Sequence, residues 1–245
     1  MGNVYNMQKL FSPFIFLICF INLNCSKPKS SNSSNVNSNQ NLAQAPSANA
    51  QYDNSNYGIY KGVIIGSSGT IVLDISNSND SLSATLIIDG VTHHFFTNQS
   101  IQQNQNTSIT FVDGNDQFTF TVSSNGNNPT ITNLNINGHP NAALLVVKEN
   151  STTLVKCFEG TFSGSYSGIF NAVIYGNIIK GISRTTGDLT IVYANGTVNN
   201  NQINASGTGS NGAVFVAALN GNNFSGNWSR FSDNSSGSFS GDRTY

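Results

Sequence analysis

From Tyr57 onward the chain is a succession of short apolar runs separated by turn residues, about every eight to twelve positions. Thr70–Ile75, Leu82–Ile88, Phe118–Val122, Ala142–Val147, Leu189–Tyr193 and Ala213–Leu219 are such runs. Between them lie Asp89-Gly90, Asp113-Gly114, Asn137-Gly138, Asn195-Gly196 and Asn220-Gly221. These dipeptides tolerate the positive φ that a type I′ hairpin turn needs. No segment carries a sustained helical period of apolar residues. Parallel strands need crossovers of about a dozen residues or more, so hairpin after hairpin means an antiparallel meander. The spacing therefore predicts an all-β protein whose meander closes into a sandwich or a barrel.

The strand patterns differ along the chain. Phe118, Phe120 and Val122 alternate with Gln117, Thr119 and Thr121, as expected for one buried and one wet face. Ala213–Leu219 is apolar at successive positions and reads as a central strand buried on both faces. Towards the C-terminal half glycine enters the strands, beside Phe162, Phe224, Trp228 and Phe239. Strand glycine marks bends, bulges or a ring lying over the backbone, and strong bending suits barrel closure. In Phe224-Ser225-Gly226-Asn227-Trp228, period-two alternation puts Phe224, Gly226 and Trp228 on the inward face. Tyr60-Lys-Gly62-Val-Ile64 also resembles Phe158-Glu-Gly160-Thr-Phe162, 98 residues later, and each opens a run of hairpins. Two β units follow, 57–155 and a Gly-rich 156–245, or one continuous β domain.

Composition limits the chemistry. Charged residues make up 9% of the chain and the formal net charge is −1, so nothing argues for a nucleic-acid surface. Eleven acids, ten bases and three histidines are little material for acid–base catalysis. His93 and His94 are adjacent on a strand and point to opposite faces, so they cannot share one metal ion. His139-Pro140 reads as turn punctuation. Asp113-Gly114-Asn115-Asp116 resembles a calcium loop but lacks its length and closing Glu, and reads as a hairpin turn. Gly66-Ser67-Ser68-Gly69 reads as a turn and not as a nucleophile elbow. Glu149, Glu159, Asp188 and Asp233 are scattered, so no carboxylate pair is legible. No cofactor, no metal site and no catalytic residue is expected.

The first residues carry a different signal. Lys9 precedes an apolar run from Leu10 to Leu23, too short for the ~20 residues that span a bilayer as a helix. It suits a signal-peptide core. The run ends at Leu23-Asn24-Cys25-Ser26, which resembles the lipobox of bacterial lipoproteins, in a looser form like that of spirochaetes. That resemblance covers residues 1–26. It implies a signal peptide over 1–24, cleavage before Cys25, and a lipid on the Cys25 thiol that anchors the protein to the membrane. Ser26, in place of Asp, implies the outer membrane, with a periplasmic or surface-exposed domain. Met7 is an alternative start to Met1. With Cys19 in the signal and Cys25 lipidated, Cys157 is left alone as a small buried hydrophobe. Residues 25–56 have no apolar periodicity and read as a lipidated, disordered tether with a reach of roughly 30 Å.

Function is thus expected to be non-enzymatic: a membrane-anchored β domain that binds an unknown protein or small ligand through loops such as 98–107 or a sheet edge. The alternative is a small-ligand carrier with a barrel calyx, lined by Trp228 and Phe224. A hydrolase built on scattered carboxylates is the third reading.

Overall fold

The computed structural model describes residues 42–78, 81–208 and 212–245. The signal segment, Cys19 and Cys25 lie outside the described residues. Among those residues the protein is all-β, with one 3-10 turn at Ala50–Tyr52. The first eight strands are β1 (Gly58–Ile65), β2 (Gly69–Ile75), β3 (Leu82–Ile88), β4 (Val91–Phe96), β5 (Thr107–Asp113), β6 (Asp116–Val122), β7 (Thr130–Asn135) and β8 (Ala143–Lys148). The second eight are β9 (Val155–Gly164), β10 (Gly168–Tyr175), β11 (Ile178–Thr185), β12 (Val192–Asn199), β13 (Gln202–Gly207), β14 (Val214–Asn220), β15 (Asn223–Arg230) and β16 (Ser235–Arg243).

Each set is an antiparallel meander. The first forms an eight-stranded sheet in the order β7-β6-β5-β4-β3-β2-β1-β8, because β8 returns to pair with β1. β7 packs near β8, so the sheet curls towards a barrel. Its inner face is largely aliphatic, with Ile64, Ile71, Leu73, Leu86 and Ile109 around Tyr60, Phe95, Phe111, Phe118 and Phe120. The second set closes fully, β16 pairing with β9 to complete an eight-stranded barrel. The two related segments at Tyr60 and Phe158 lie on β1 and β9, which open the two meanders.

A third core joins the sheet to the barrel. Val63, Ile65 and Val147 meet Val155, Cys157, Val173 and Ile182 there. β1 is consequently buried along its whole length. Asn171 donates its side-chain amide to the Ile64 carbonyl across this seam at 2.6 Å.

Glu149, between β8 and β9, ties the seam together. Its backbone N–H donates to Ile59 O at 2.9 Å. One carboxylate oxygen accepts from Lys61 Nζ at 2.7 Å and from the Val155 N–H at 3.0 Å. The other accepts from the Ser47 N–H at 2.7 Å and from its hydroxyl at 3.0 Å. The Lys61 and Glu149 side chains are 1% and 0% exposed. Two charges so deep survive only because they are paired and their remaining lone pairs are satisfied.

Four local expectations change. Leu189–Tyr193, expected as a strand, is mostly connection, since β12 begins only at Val192. Residues 42–56, expected as part of a free tether, lie against the β domain. Asn49 donates its N–H to Asn77 Oδ1, Asp53 accepts from the Ser151 N–H, and Arg243 donates to Ala43 O. Lys148 Nζ donates to the carbonyls of Tyr52, Ser55 and Tyr57. These are polar and backbone contacts, which leave no apolar periodicity in the sequence. Asn195-Gly196, expected as a turn, lies inside β12, where Gly196 packs against the Ala205 side chain. The turn falls at Asn200-Asn201, both at positive φ. Finally, β14 is not buried on both faces. Phe215, Ala217 and Leu219 point inward, whereas Val216 and Ala218 face solvent, because a closed barrel has a wet outside even on fully paired strands.

Candidate functional site

The barrel interior is packed with rings. Phe170 lies 4.9 Å from Phe215 and 5.2 Å from Phe239 between centroids, and Phe224 lies 5.4 Å from Phe239. Phe158 adds a further ring 5.6 Å from Phe224. Glycines on the same inward face make the room. A Cβ on Gly181 would sit 2.7 Å from the Phe170 ring, and one on Gly241 would sit 2.6 Å from Phe224. Large and small residues alternate until a small barrel is full.

Filling stops at one end. The β9–β10, β11–β12 and β15–β16 connections emerge together there, as alternate hairpins of a meander must. A pocket of about 180 Å³ opens between them. Phe162, Val192, Ala213, Phe215 and Trp228 form its walls, and Tyr166, Ser183, Thr185, Asp188 and Arg230 its polar rim. Trp228 is 5% exposed, lies edge-on to Phe162 at 5.8 Å, and donates its indole N–H to Ser163 O at 3.0 Å. That bond fixes the ring against the pocket wall. Arg230 lies 4.9 Å over the Tyr166 ring and donates Nε to Asp233 at 3.0 Å. This guanidinium holds the Asp233 carboxyl well below the usual carboxylate range. The Thr190 N–H likewise lowers the Asp188 pKa, with the Arg184 guanidinium adding to it, so the rim carries the Asp188 carboxylate together with an Arg230 guanidinium already paired to Asp233. Beyond the rim, Leu189 and Phe231 are 66% and 82% exposed.

The two residues expected to line a calyx separate here. Trp228 borders the mouth pocket, whereas Phe224 is buried in the ring stack beneath and does not line it. Both stand on the inward face of β15, with Ser225 and Asn227 outside. Phe162, Tyr166, Phe215 and Arg230 were not singled out as ligand-lining in the sequence, because they come from three separate hairpins.

The histidines fall as turn and face residues. His93 sits 3.3 Å from Asp113 and 3.7 Å from Asp116 at the β5–β6 turn, while His94 lies on the other face beside Thr85. His139 is less expected: its Nδ1 lies 2.6 Å from Ser67 Oγ and 3.7 Å from Asp89 Oδ2. A nucleophile and an orienting acid must engage different ring nitrogens for a proton to pass between them. Here both meet Nδ1, so the three tie turns together and do not form a catalytic chain.

Glu159 and Asp242 are direct cross-strand partners on β9 and β16, in a groove of about 380 Å³ with Ser67, Ser68, Thr161 and Ser240. Ser68 donates to Glu159. Directly opposed strand residues stand side by side on one wall, ~5 Å apart at Cβ. Retaining glycosidases hold their two carboxyl groups about 5–5.5 Å apart, so this pair is the place where the hydrolase reading would have to sit. Cys157 is buried with its thiol against Gly62 O, and burial pushes its pKa up to about 12. A thiol so placed is an inert hydrophobe at neutral pH. Loop 98–107 is fastened down: Asn56 donates to Gln102 O and Thr107 Oγ1 and accepts from the Asn104 N–H.

Among the described residues no group of three or more His, Cys, Asp or Glu could hold a metal ion, and no helix is long and apolar enough to cross a membrane. No protein-family model matches the chain, and a comparison with curated proteins finds no match.

Proposed function

We propose that the protein is a non-enzymatic lipoprotein of the bacterial outer membrane, anchored through Cys25, whose β domain binds a small ligand at the barrel mouth. The observation that carries the reading is the mouth pocket itself. An aromatic floor with a few convergent polar groups is the usual make-up of a small-ligand site. The ring stack below it favours a shallow mouth site over a deep calyx. The fastened 98–107 loop argues against that loop as the contact surface. No nucleic acid and no catalytic step belong to this reading.

Two experiments test it. Wild type and Cys25→Ala are labelled with a fatty-acid probe; label on wild type alone supports the anchor, and equal label on both refutes it. For the site, ligand-observed NMR screens six-membered-ring compounds of every charge type against the full chain. Compounds that bind wild type and not Ala213→Leu, in which the added side chain fills the pocket, support the mouth site. A screen in which no compound distinguishes the two proteins overturns it.

A further inference from the structure

The rim chemistry restricts what the mouth can hold. We infer that the ligand is a neutral saccharide ring, stacked on the aromatic floor and hydrogen-bonded at the rim; this rests on the mouth being the binding site.

Size comes first. A cavity of ~150 Å³ holds one benzene ring, so about 180 Å³ takes a single six-membered ring and little more. Charge comes second. Arg230 is already paired with Asp233, and its guanidinium already covers the Tyr166 ring. An organic cation would find that aromatic face occupied by a like charge. An organic anion would meet the Asp188 carboxylate on the rim, where the Arg230 guanidinium is already held by Asp233.

Hydrogen bonding comes third. The Asp188 carboxylate accepts from Thr190 and the Leu189 N–H, and the Arg230 guanidinium is held by Asp233 beside Tyr166. Yet a carboxylate has about four acceptor sites and a guanidinium five donors, so both keep capacity at the pocket edge, next to the Thr185 hydroxyl. The rim thus offers a cationic donor, a hydroxyl that does both, and an anionic acceptor. A sugar hydroxyl is itself both donor and acceptor and satisfies all three kinds. A purely apolar ring would leave them unmatched. The apolar C–H face of a pyranose suits a wall built of Phe162, Phe215 and Trp228, while its hydroxyls meet the polar rim. A quaternary cation suits the same rings but has no hydroxyls for that rim. Leu189 and Phe231 stand exposed around the opening, where the next unit of a glycan would rest.

The test uses the full chain and saturation-transfer NMR with four probe classes: neutral methyl hexopyranosides, benzyl alcohol, benzoate and tetramethylammonium. The expected result is that at least one pyranoside binds saturably, with an affinity that added salt leaves unchanged. Asp188→Asn and Thr185→Val, both at the rim, then weaken it by about tenfold each, the value of one hydrogen bond to a charged or polar group. Circular dichroism of the two variants stays as in wild type. Disaccharides that bind more tightly than the matching methyl glycoside assign a glycan end, and equal binding assigns a free sugar; both support the inference. Binding of benzyl alcohol, benzoate or tetramethylammonium with no pyranoside response overturns the ligand class and leaves the mouth site standing. Silence from all four classes overturns the inference, and the wider screen against Ala213→Leu decides the site separately.

Discussion

The two halves of this protein share a strand number and a meander, yet they end differently. The first sheet runs β1 to β8 around an aliphatic core and curls until β7 nears β8. The second closes by hydrogen bonds around stacked phenylalanines, with glycine at the intervening inward positions. In the second meander, rings packed against inward-facing glycines fill the interior of the closed barrel, and where the rings stop a pocket is left. The candidate site thus follows from inward small–large complementarity in the barrel. The halves are not independent, because β1 is buried against its own core on one face and against the barrel on the other.

The sharpest way to break the comparison is at the seam. Lys61→Met leaves Glu149 charged and buried without its cation, and should cost about 3–5 kcal/mol. Since Glu149 also holds the start of β9 and Ser47, calorimetry should show one transition that falls as a whole. Two transitions, with the barrel unchanged, would show that the halves fold separately.

Next is the glycine–ring fit. Gly181→Ala places a methyl against Phe170 and should cost about 1–3 kcal/mol by overpacking, read as a lower urea midpoint. Adding Phe170→Leu should return part of that loss, because the smaller side chain vacates the clash. If the double variant is simply the sum of the two single losses, the rings are not what glycine makes room for.

The smallest effect belongs to the strap on the first sheet. Burial lowers the Lys148 pKa to about 8, against an unfolded value near ~10.4. In that window the unfolded chain binds the extra proton, so stability rises with pH. The gain is roughly 1 kcal/mol between about pH 8 and 10, discounted because the side chain is only half buried. Above that, Tyr60, whose pKa is raised by burial, reverses the slope. Urea midpoints of wild type and Lys148→Met across this range check it: the rise should vanish in the variant.

Much of the all-β fold was legible. Asp89-Gly90 and Asp113-Gly114 stand at hairpin turns, and the alternation in Phe118–Val122 gave the right faces. The inward face of Trp228 followed from five residues, because period-two alternation needs no tertiary information. What failed did so for identifiable reasons. The burial of β1 on both faces was not legible, since sequence cannot show that Glu149 waits for Lys61. Ala213–Leu219 looked doubly buried because Val and Ala are tolerated on a wet barrel wall. Residues 42–56 looked free because hydrogen bonds to Glu149, Asn77 and Lys148 leave no hydrophobic trace. The site was legible only at Trp228. Its other walls come from Phe162, Val192 and Phe215, on strands whose meeting depends on closure itself.

Trp228 is the only tryptophan in the chain, so its fluorescence reports on the mouth without ambiguity. Acrylamide quenching of the full chain, with and without a ring compound found to bind, tests the mouth site most directly. The account predicts a blue-shifted emission, weakly quenched in the free protein and quenched less still when the pocket is filled. A red-shifted, freely quenched emission that ignores the bound compound would contradict it.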